Sequence, residues 1–357
     1  MSNQLGPSVW MVSDGRAGHL AQAKAIARAL FEPHNWLRIG HVPAAGHRTE
    51  PITLTPSAPW TWIPGPNWPA CRRALPREQR TELSAPWPSV WIGVSRRVAP
   101  FSARMKAWSQ GETLVIHLMD AGLSEGDVDL RVIPVHDQPS GTNLLQTKGA
   151  PAYFSPEDIE QAGQLFADLA DDPKKSAVVL LGGDSKSFRF QTSDADRLKN
   201  AINELLAKGW RVRITGSRRT PAPIRARFRQ WSDVRGVTYW DHPGDGPNPY
   251  LGWLAYADLA IVTEDSASMI SEAAWFGLPV KIAPLSGRSA KFGRLHQSFI
   301  DHGAARWLDD DRDEVWSYPK LREAERVAST IIDLLEERFP RPEQDPQDGA
   351  VTLPDWL

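Results

Sequence analysis

The chain has 357 residues, 41% of them hydrophobic, with a formal net charge of −2. That length suits two domains of ordinary size, and the charge argues against bulk attraction to nucleic acid. A single cysteine, Cys71, excludes an intramolecular disulfide and fits a reducing compartment. Residues 1–5 lack a basic, apolar leader, and no apolar run approaches the length of a membrane span, so the expected location is the cytoplasm.

Residues 8–12, SVWMV, read as the first strand. The turn Asp14-Gly15-Arg16-Ala17-Gly18-His19 follows, then a helical pattern over residues 20–31. Its glycines allow close approach to a ligand or an opposing domain. The turn has neither dinucleotide-fingerprint nor Walker spacing, which disfavours dinucleotide and ATP binding. His19 at a helix start suits a general base; the alternative is a satisfied loop histidine.

Residues 36–42 read as the second strand. Residues 43–89 form a tryptophan- and proline-rich insert whose middle, 69–83, has a helical pattern grouping Arg72, Arg73, Arg77 and Arg80. Such a face could touch anionic lipid, or be only a solvated charged surface. Further strands are expected at 90–94, 113–119, 130–133 and 143–147. Asp120, His136, Asp137 and Asn143 stand at or near strand ends, where a parallel sheet gathers polar residues. No His/Cys cluster has zinc-ligand spacing, so no metal is expected.

Ser155-Pro156 opens a helix, and the polar break near 171–175 marks the domain boundary. The reading gives residues 1–150 and 151–340 as two domains and 341–357 as a mobile tail. In the second half, a strand at 177–181 runs into Gly182-Gly183, and one at 211–215 into Ser217-Arg218-Arg219. Guanidinium forks there suit a diphosphate. The run at 259–262 leads to Thr263-Glu264-Asp265-Ser266-Ala267-Ser268 and a helix that Gly277 stops. Asp265, Ser266 and Ser268 are each candidate N-caps, and a helix start offers free N–H groups to phosphate. Glu272, about one turn on, suits a ribose diol; the alternative is a capped helix with a surface glutamate.

The Thr263–Val280 stretch resembles the sugar-nucleotide motif of GT-B glycosyltransferases. With Asp14–His19, Pro134–Asp137, Asn143 and Ser217–Pro221, it more closely resembles the mitochondrial fission family, whose bacterial members are often labelled nucleoside-diphosphate-sugar epimerases. The resemblance implies two Rossmann-like domains facing a cleft. It implies a metal-independent glycosyltransferase without a cofactor, using a nucleotide-sugar donor and a glycan or glycolipid acceptor at the inner membrane surface. In that reading His19 or Asp120 deprotonates the acceptor. Gly183, Ser217, Arg218, Arg219, Asp265, Ser266, Ser268 and Glu272 hold the donor, and Asp14, Gly15, Gly18, His136, Asp137 and Asn143 line the cleft. The epimerase label is disfavoured, because a hydride-shuttling epimerase needs a dinucleotide fingerprint. The plant member is an adaptor at the mitochondrial surface, so a binding scaffold is the second expectation.

Overall fold

Apolar runs alternate with polar turns in the first half, and each run forms a strand. In the computed structural model, which describes residues 8–38, 51–170, 172–232, 234–312 and 315–338, these are β1 (Val9–Ser13), β2 (Ile52–Thr53), β3 (Val90–Val94), β4 (Leu114–Leu118), β5 (Leu130–Pro134) and β6 (Leu144–Thr147). They pair in parallel in the order β2-β1-β3-β4-β5-β6. Every residue of β1, β3 and β4 is buried, as expected of parallel strands covered by helices on both faces. The helices here are α1 (Ala17–Leu30), α2 (Pro33–Arg38), α3 (Arg77–Glu82) and α4 (Ala99–Trp108). Helix α5 (Pro156–Leu165) follows, its start fixed by a capping box between Ser155 and Asp158.

The second half contains β7 (Ser176–Leu181), β8 (Phe188–Arg189), β9 (Arg211–Gly216), β10 (Val237–Trp240), β11 (Leu259–Thr263), β12 (Val280–Ala283), β13 (Ser286–Gly287) and β14 (Ala305–Trp307). Six of these make a parallel sheet in the order β10-β9-β7-β11-β12-β14, while β8 and β13 form a separate antiparallel pair. Counted within the half, this is the doubly wound 3-2-1-4-5-6 order, whose direction of winding reverses between β7 and β11. Its helices are α6 (Thr192–Ala207), α7 (Ala222–Arg229), α8 (Tyr250–Ala255), α9 (Ala267–Phe276), α10 (Ala290–Asp301) and α11 (Glu323–Arg338). The molecule is thus two Rossmann-like α/β units, the GT-B arrangement.

Three expectations from the sequence need correction. Residues 33–38 are helical, where a strand was expected from 36. Pro33 stands at the first helical position, and the Asn35 amide donates to the Ala29 carbonyl at 2.7 Å, so the turn out of α1 is closed. Residues 39–50 lie outside the described residues, and the sheet takes Ile52–Thr53 as β2. Second, residues 69–83 do not make one helix. A 3-10 turn at Cys71–Ala74 ends before Pro76, and α3 starts after it. Third, α11, expected within residues 151–340, buries its apolar face in the first unit, touching the second where Glu325 accepts from the Trp275 indole at 2.9 Å. Its stripe of Ala324, Val327, Ala328, Ile331, Ile332 and Leu335 is buried with Val9, Ile26 and Leu30 of the first core. Arg338 fastens its end, donating to the Thr113 carbonyl at 3.1 Å and pairing with Asp129 at 2.9 Å. The expected tail, 341–357, lies outside the described residues. Among the described residues no helix is long and apolar enough to cross a membrane.

Candidate functional site

The second sheet reverses its winding between β7 and β11, and the carboxyl ends of those strands are where an open α/β sheet binds ligands. Asp265 organises this point. Its carboxylate accepts the Gly183 N–H at 3.0 Å and the Thr263 hydroxyl at 2.7 Å, and it pairs with Arg219 at 2.7 Å. Gly182 N–H donates to the Thr263 hydroxyl at 2.8 Å. Asp265 is therefore an internal strut; it does not cap α9. A Cβ at Gly183 would lie 1.9 Å from the Arg219 carbonyl oxygen. The glycine is required by the protein's own backbone, which fills the space expected to admit phosphate. Ser217 is also engaged, donating to the Gly182 carbonyl at 3.0 Å. Arg219 is drawn inward by Asp265, leaving Arg218 exposed and without an ion pair among the described residues.

Helix α9 starts at this point without a side-chain cap. Ser266 occupies the cap position, and its carbonyl accepts the Ile270 N–H at 3.2 Å. The N–H groups of Ala267, Ser268 and Met269 have no partner among the described residues. Unpaired donors and the positive end of the helix dipole together favour an anion. Ser268 lies in the first turn and is partly exposed. Farther along, Tyr250 of α8 donates its hydroxyl to Glu272 Oε2. Burial pushes the Glu272 carboxyl up to about 7 against the opposing effect of that hydrogen bond. Glu272 is thus a held and oriented group. Its Oε1 has no partner among the described residues.

In the first unit, β1 ends at Ser13, whose hydroxyl accepts the Gly15 N–H at 3.2 Å. Gly15 takes φ +80°, which turns the chain at once into α1. A Cβ at Gly18 would meet nothing within 4 Å, so that helix start is open. His19 falls in the first turn of α1, and its Nδ1 lies 2.8 Å from Asp14 Oδ1. Burial raises the Asp14 carboxyl, but the hydrogen bond and charge of His19, with the Arg16 N–H, more than offset it; the net shift is downward. Asp14 is 3% exposed and His19 16%, so the carboxylate is sheltered while the imidazole edge reaches solvent. This is a base held in orientation by a buried acid, with Nε2 left open.

The two units meet around a cavity of about 250 Å³. Gln22, Met119, His136, Asp137, Ala267 and Lys291 are among its lining residues. Gln22 is three residues beyond His19, so the two share one face of α1. Ala267 brings in the open end of α9. His136 and Asp137 arrive through a 3-10 turn after β5, and α10 of the other unit closes on them. Lys291 pairs with Asp137 at 2.6 Å, and Arg294 donates to the His136 carbonyl at 2.9 Å. Burial holds His136 neutral, lowering it to about 4, and its Nδ1 is buried without a hydrogen-bond partner. Non-glycine residues Ser95, Met119 and Gln138 all take positive φ. They follow β3, β4 and β5, so backbone strain gathers at the carboxyl edge of this sheet.

Several expected site residues lie elsewhere. Asp120 follows Met119, but the left-handed turn there carries it to a different cavity, with Arg96, Arg97 and Trp68. Asn143 is structural: its amide donates to the Val128 carbonyl at 2.8 Å and its oxygen accepts from Arg131 at 2.9 Å. Two of the four arginines of the insert's basic face are turned to internal use, while Arg73 and Arg77 stay exposed. Arg72 donates to the carbonyls of Arg80 and Leu83, and Arg80 to those of Leu75 and Arg73. Among the described residues Asp241, His242 and Asp245 have metal-ligand proximity, but Arg229 already neutralises both carboxylates. Sequence reasoning missed Tyr250, Lys291 and Arg294, whose roles come from contacts distant in the chain. It also missed the Glu264–His296 pair, in which His296 Nε2 lies 2.8 Å from the Glu264 carbonyl.

The model of the family described as mitochondrial fission ELM1 matches residues 17–335. "Mitochondrial fission protein ELM1" of Arabidopsis thaliana is 32% identical over 198 residues, covering 54% of this chain and 46% of that protein. An uncharacterized protein of Rickettsia prowazekii is 31% identical over 163 residues, covering 44% of this chain and 46% of its own. The chain spans about half the length of the curated relatives it matches. Among solved structures, Acinetobacter baumannii MurG is similar at 14% identity and a TM-score of 0.47, covering 93% of each chain. The UDP-GlcNAc 2-epimerase of Methanocaldococcus jannaschii is similar at 12% identity and a TM-score of 0.45, covering 91% of this chain and 99% of its own.

Proposed function

The chain belongs to the mitochondrial fission ELM1 family, and we propose that it is a glycosyltransferase that binds a nucleotide-activated sugar between its two units. The observation that carries this reading is the uncapped start of α9, with unpartnered N–H groups, opening on the same cavity that the His19 face of α1 borders. In this reading the diphosphate lies on the N–H groups of Ala267, Ser268 and Met269, with the Ser266 and Ser268 hydroxyls and Arg218 beside it. Glu272, oriented by Tyr250, accepts from the ribose diol through Oε1. His19 Nε2 takes the proton from the acceptor hydroxyl, and Asp14 stabilises the imidazolium that results. The acceptor oxygen bonds to the anomeric carbon as the bond from that carbon to the diphosphate breaks. The leaving diphosphate gathers charge on the helix start, which is electrostatic stabilisation of the kind a fixed set of donors supplies. The acceptor is a glycan or glycolipid of the cell envelope, reached from the cytoplasm at the inner membrane surface.

Isothermal titration with a panel of nucleoside diphosphates and their sugars tests the reading. Heat of binding for at least one base, lost on Arg218→Ala with Ser268→Ala, is expected. Silence across the panel at millimolar ligand would instead favour the second reading, a binding scaffold on the same fold. One observation speaks for that scaffold: the Gly182-Gly183 turn is filled by the Arg219 backbone and the Asp265 carboxylate.

A further inference from the structure

The loops after β3 and β4 meet the tryptophan-rich insert around a second cavity of about 430 Å³. Ile63, Gly65, Trp68, Arg96, Arg97 and Asp120 line it, and it shares no lining residue with the interdomain cavity. Neither arginine has an ion pair among the described residues. Among the described residues Arg96 reaches only the Asp120 carbonyl, at 3.3 Å. Arg97 is exposed and holds no hydrogen bond or ion pair among the described residues. The Asp120 carboxylate turns to the Gly122 N–H at 3.3 Å and leaves both guanidiniums uncompensated. Two unpaired guanidiniums in a concavity are a receptor for phosphate oxygens.

The rim of this cavity is apolar and built. Trp62, which stands in the chain between the lining residues Thr61 and Ile63, is 78% exposed and Ile63 37%, a prominent hydrophobic pair for a protein surface. Their outward position is fixed from beneath. The indole N–H of buried Trp68 donates to the Ile63 carbonyl at 3.1 Å, and Trp62 and Ile63 close a 3-10 turn on Pro59 and Trp60. An indole held out beside arginines suits the boundary layer of a bilayer, where tryptophan is enriched and basic residues meet anionic headgroups. Asp120 lines the same cavity, and its carboxylate can accept from a headgroup hydroxyl.

We infer that this cavity binds an anionic phospholipid with a hydroxyl-bearing headgroup, of the phosphatidylglycerol class. Arg96 and Arg97 take the phosphate, Asp120 accepts from a headgroup hydroxyl, and Trp62 with Ile63 enters the headgroup layer. The site is separate from the nucleotide site and needs no turnover, so it stands or falls independently of the transferase reading.

The test is co-sedimentation of the full chain with vesicles of phosphatidylcholine alone, or containing about 30 mol% of phosphatidylglycerol or phosphatidylmethanol, two phosphodiesters of comparable surface charge of which only the first carries headgroup hydroxyls. Wild type should bind the phosphatidylglycerol vesicles about tenfold more tightly than the phosphatidylmethanol ones. The Arg96→Ala, Arg97→Ala double variant should lose about tenfold or more on phosphatidylglycerol, with its thermal midpoint unchanged because both side chains are exposed. Trp62→Ala should weaken binding to both anionic vesicles. Asp120→Ala should remove the preference for phosphatidylglycerol over phosphatidylmethanol. Equal wild-type binding to the two lipids would reduce the surface to general charge attraction and overturn the inference. So would a double variant that sediments like wild type, or no sedimentation with phosphatidylglycerol. Nucleotide titration of the same folded variants should be unaltered, which keeps failure here distinct from failure of the donor site.

Discussion

His19 Nδ1 lies 2.8 Å from Asp14 Oδ1, five positions earlier in the chain, across a turn that Gly15 makes possible. The pair is local in sequence, yet its value depends on the surrounding packing. Asp14 is sheltered, the open edge of His19 faces outward, and Gln22 on the same helix face lines the cavity between the units. If His19 is the acceptor-side base, His19→Ala should lower turnover by about 10²- to 10⁴-fold, the usual contribution of general-base catalysis. Nucleotide affinity should stay within a few-fold. Asp14→Asn should also lower turnover, since it no longer stabilises the imidazolium. Steady-state rates with titration calorimetry separate the two effects. Equal loss of binding in both variants would remove His19 from the acceptor side.

Glu272 carries a pH signature. Its carboxyl is raised by burial from an ordinary value of 4.5 to about 7. The folded chain therefore keeps a proton that the unfolded chain releases above about pH 4.5, and stability from this group falls as pH rises from 4.5 toward 7. Glu272→Gln should flatten that part of the stability profile and leave the protein more stable than wild type above pH 7. Ribonucleotide binding should nevertheless fall about tenfold or more, because one acceptor oxygen becomes a donor. Thermal midpoints between pH 4 and 9 read the first effect and titration the second. A variant with the wild-type pH profile would mean that the proton sits elsewhere.

Asp265 is predicted to matter for folding more than for ligand contact. Asp265→Ala leaves the Gly183 N–H and the Thr263 hydroxyl without their acceptor and Arg219 without its partner. The loss should be about 1–3 kcal/mol, the usual cost of unsatisfied buried polar groups. Urea denaturation measures it. Gly183→Ala should be destabilising as well, because the added carbon meets the Arg219 backbone. An unchanged midpoint for either variant would show that the contacts among the turns after β7, β9 and β11 relax freely.

The position of α11 makes a test of where stability is shared. Ile331 is 0% exposed in the first core although it follows the whole second sheet in sequence. Ile331→Ala should cost about 2–5 kcal/mol, as large-to-small core changes do. Hydrogen exchange should quicken in α1, β1 and β3 before it does in β7 and β11. Faster exchange confined to the second sheet would contradict this assignment.

Most strands and helices were legible in sequence because each is set by local periodicity. The run at 259–262 becomes β11, and Gly277 ends α9 at φ +84° as a glycine after a helix should. The parallel pairing of two Rossmann-like units also follows from repeated strand–turn–helix segments. The second strand was misread because Pro33 and Asn35 extend the helical path, and the edge strand beside β1 is only two residues long. What the sequence alone determined is therefore the succession of elements and the turns able to carry a site. Tertiary structure decided which polar groups remain available. Asp265 faces inward to Gly183 and Arg219, Asn143 clamps a loop, Glu272 meets Tyr250, and Lys291 crosses from the other unit to Asp137. Periodicity is a property of neighbouring residues, whereas the direction and partners of a polar side chain depend on contacts between segments tens to hundreds of residues apart. No local pattern encodes those contacts.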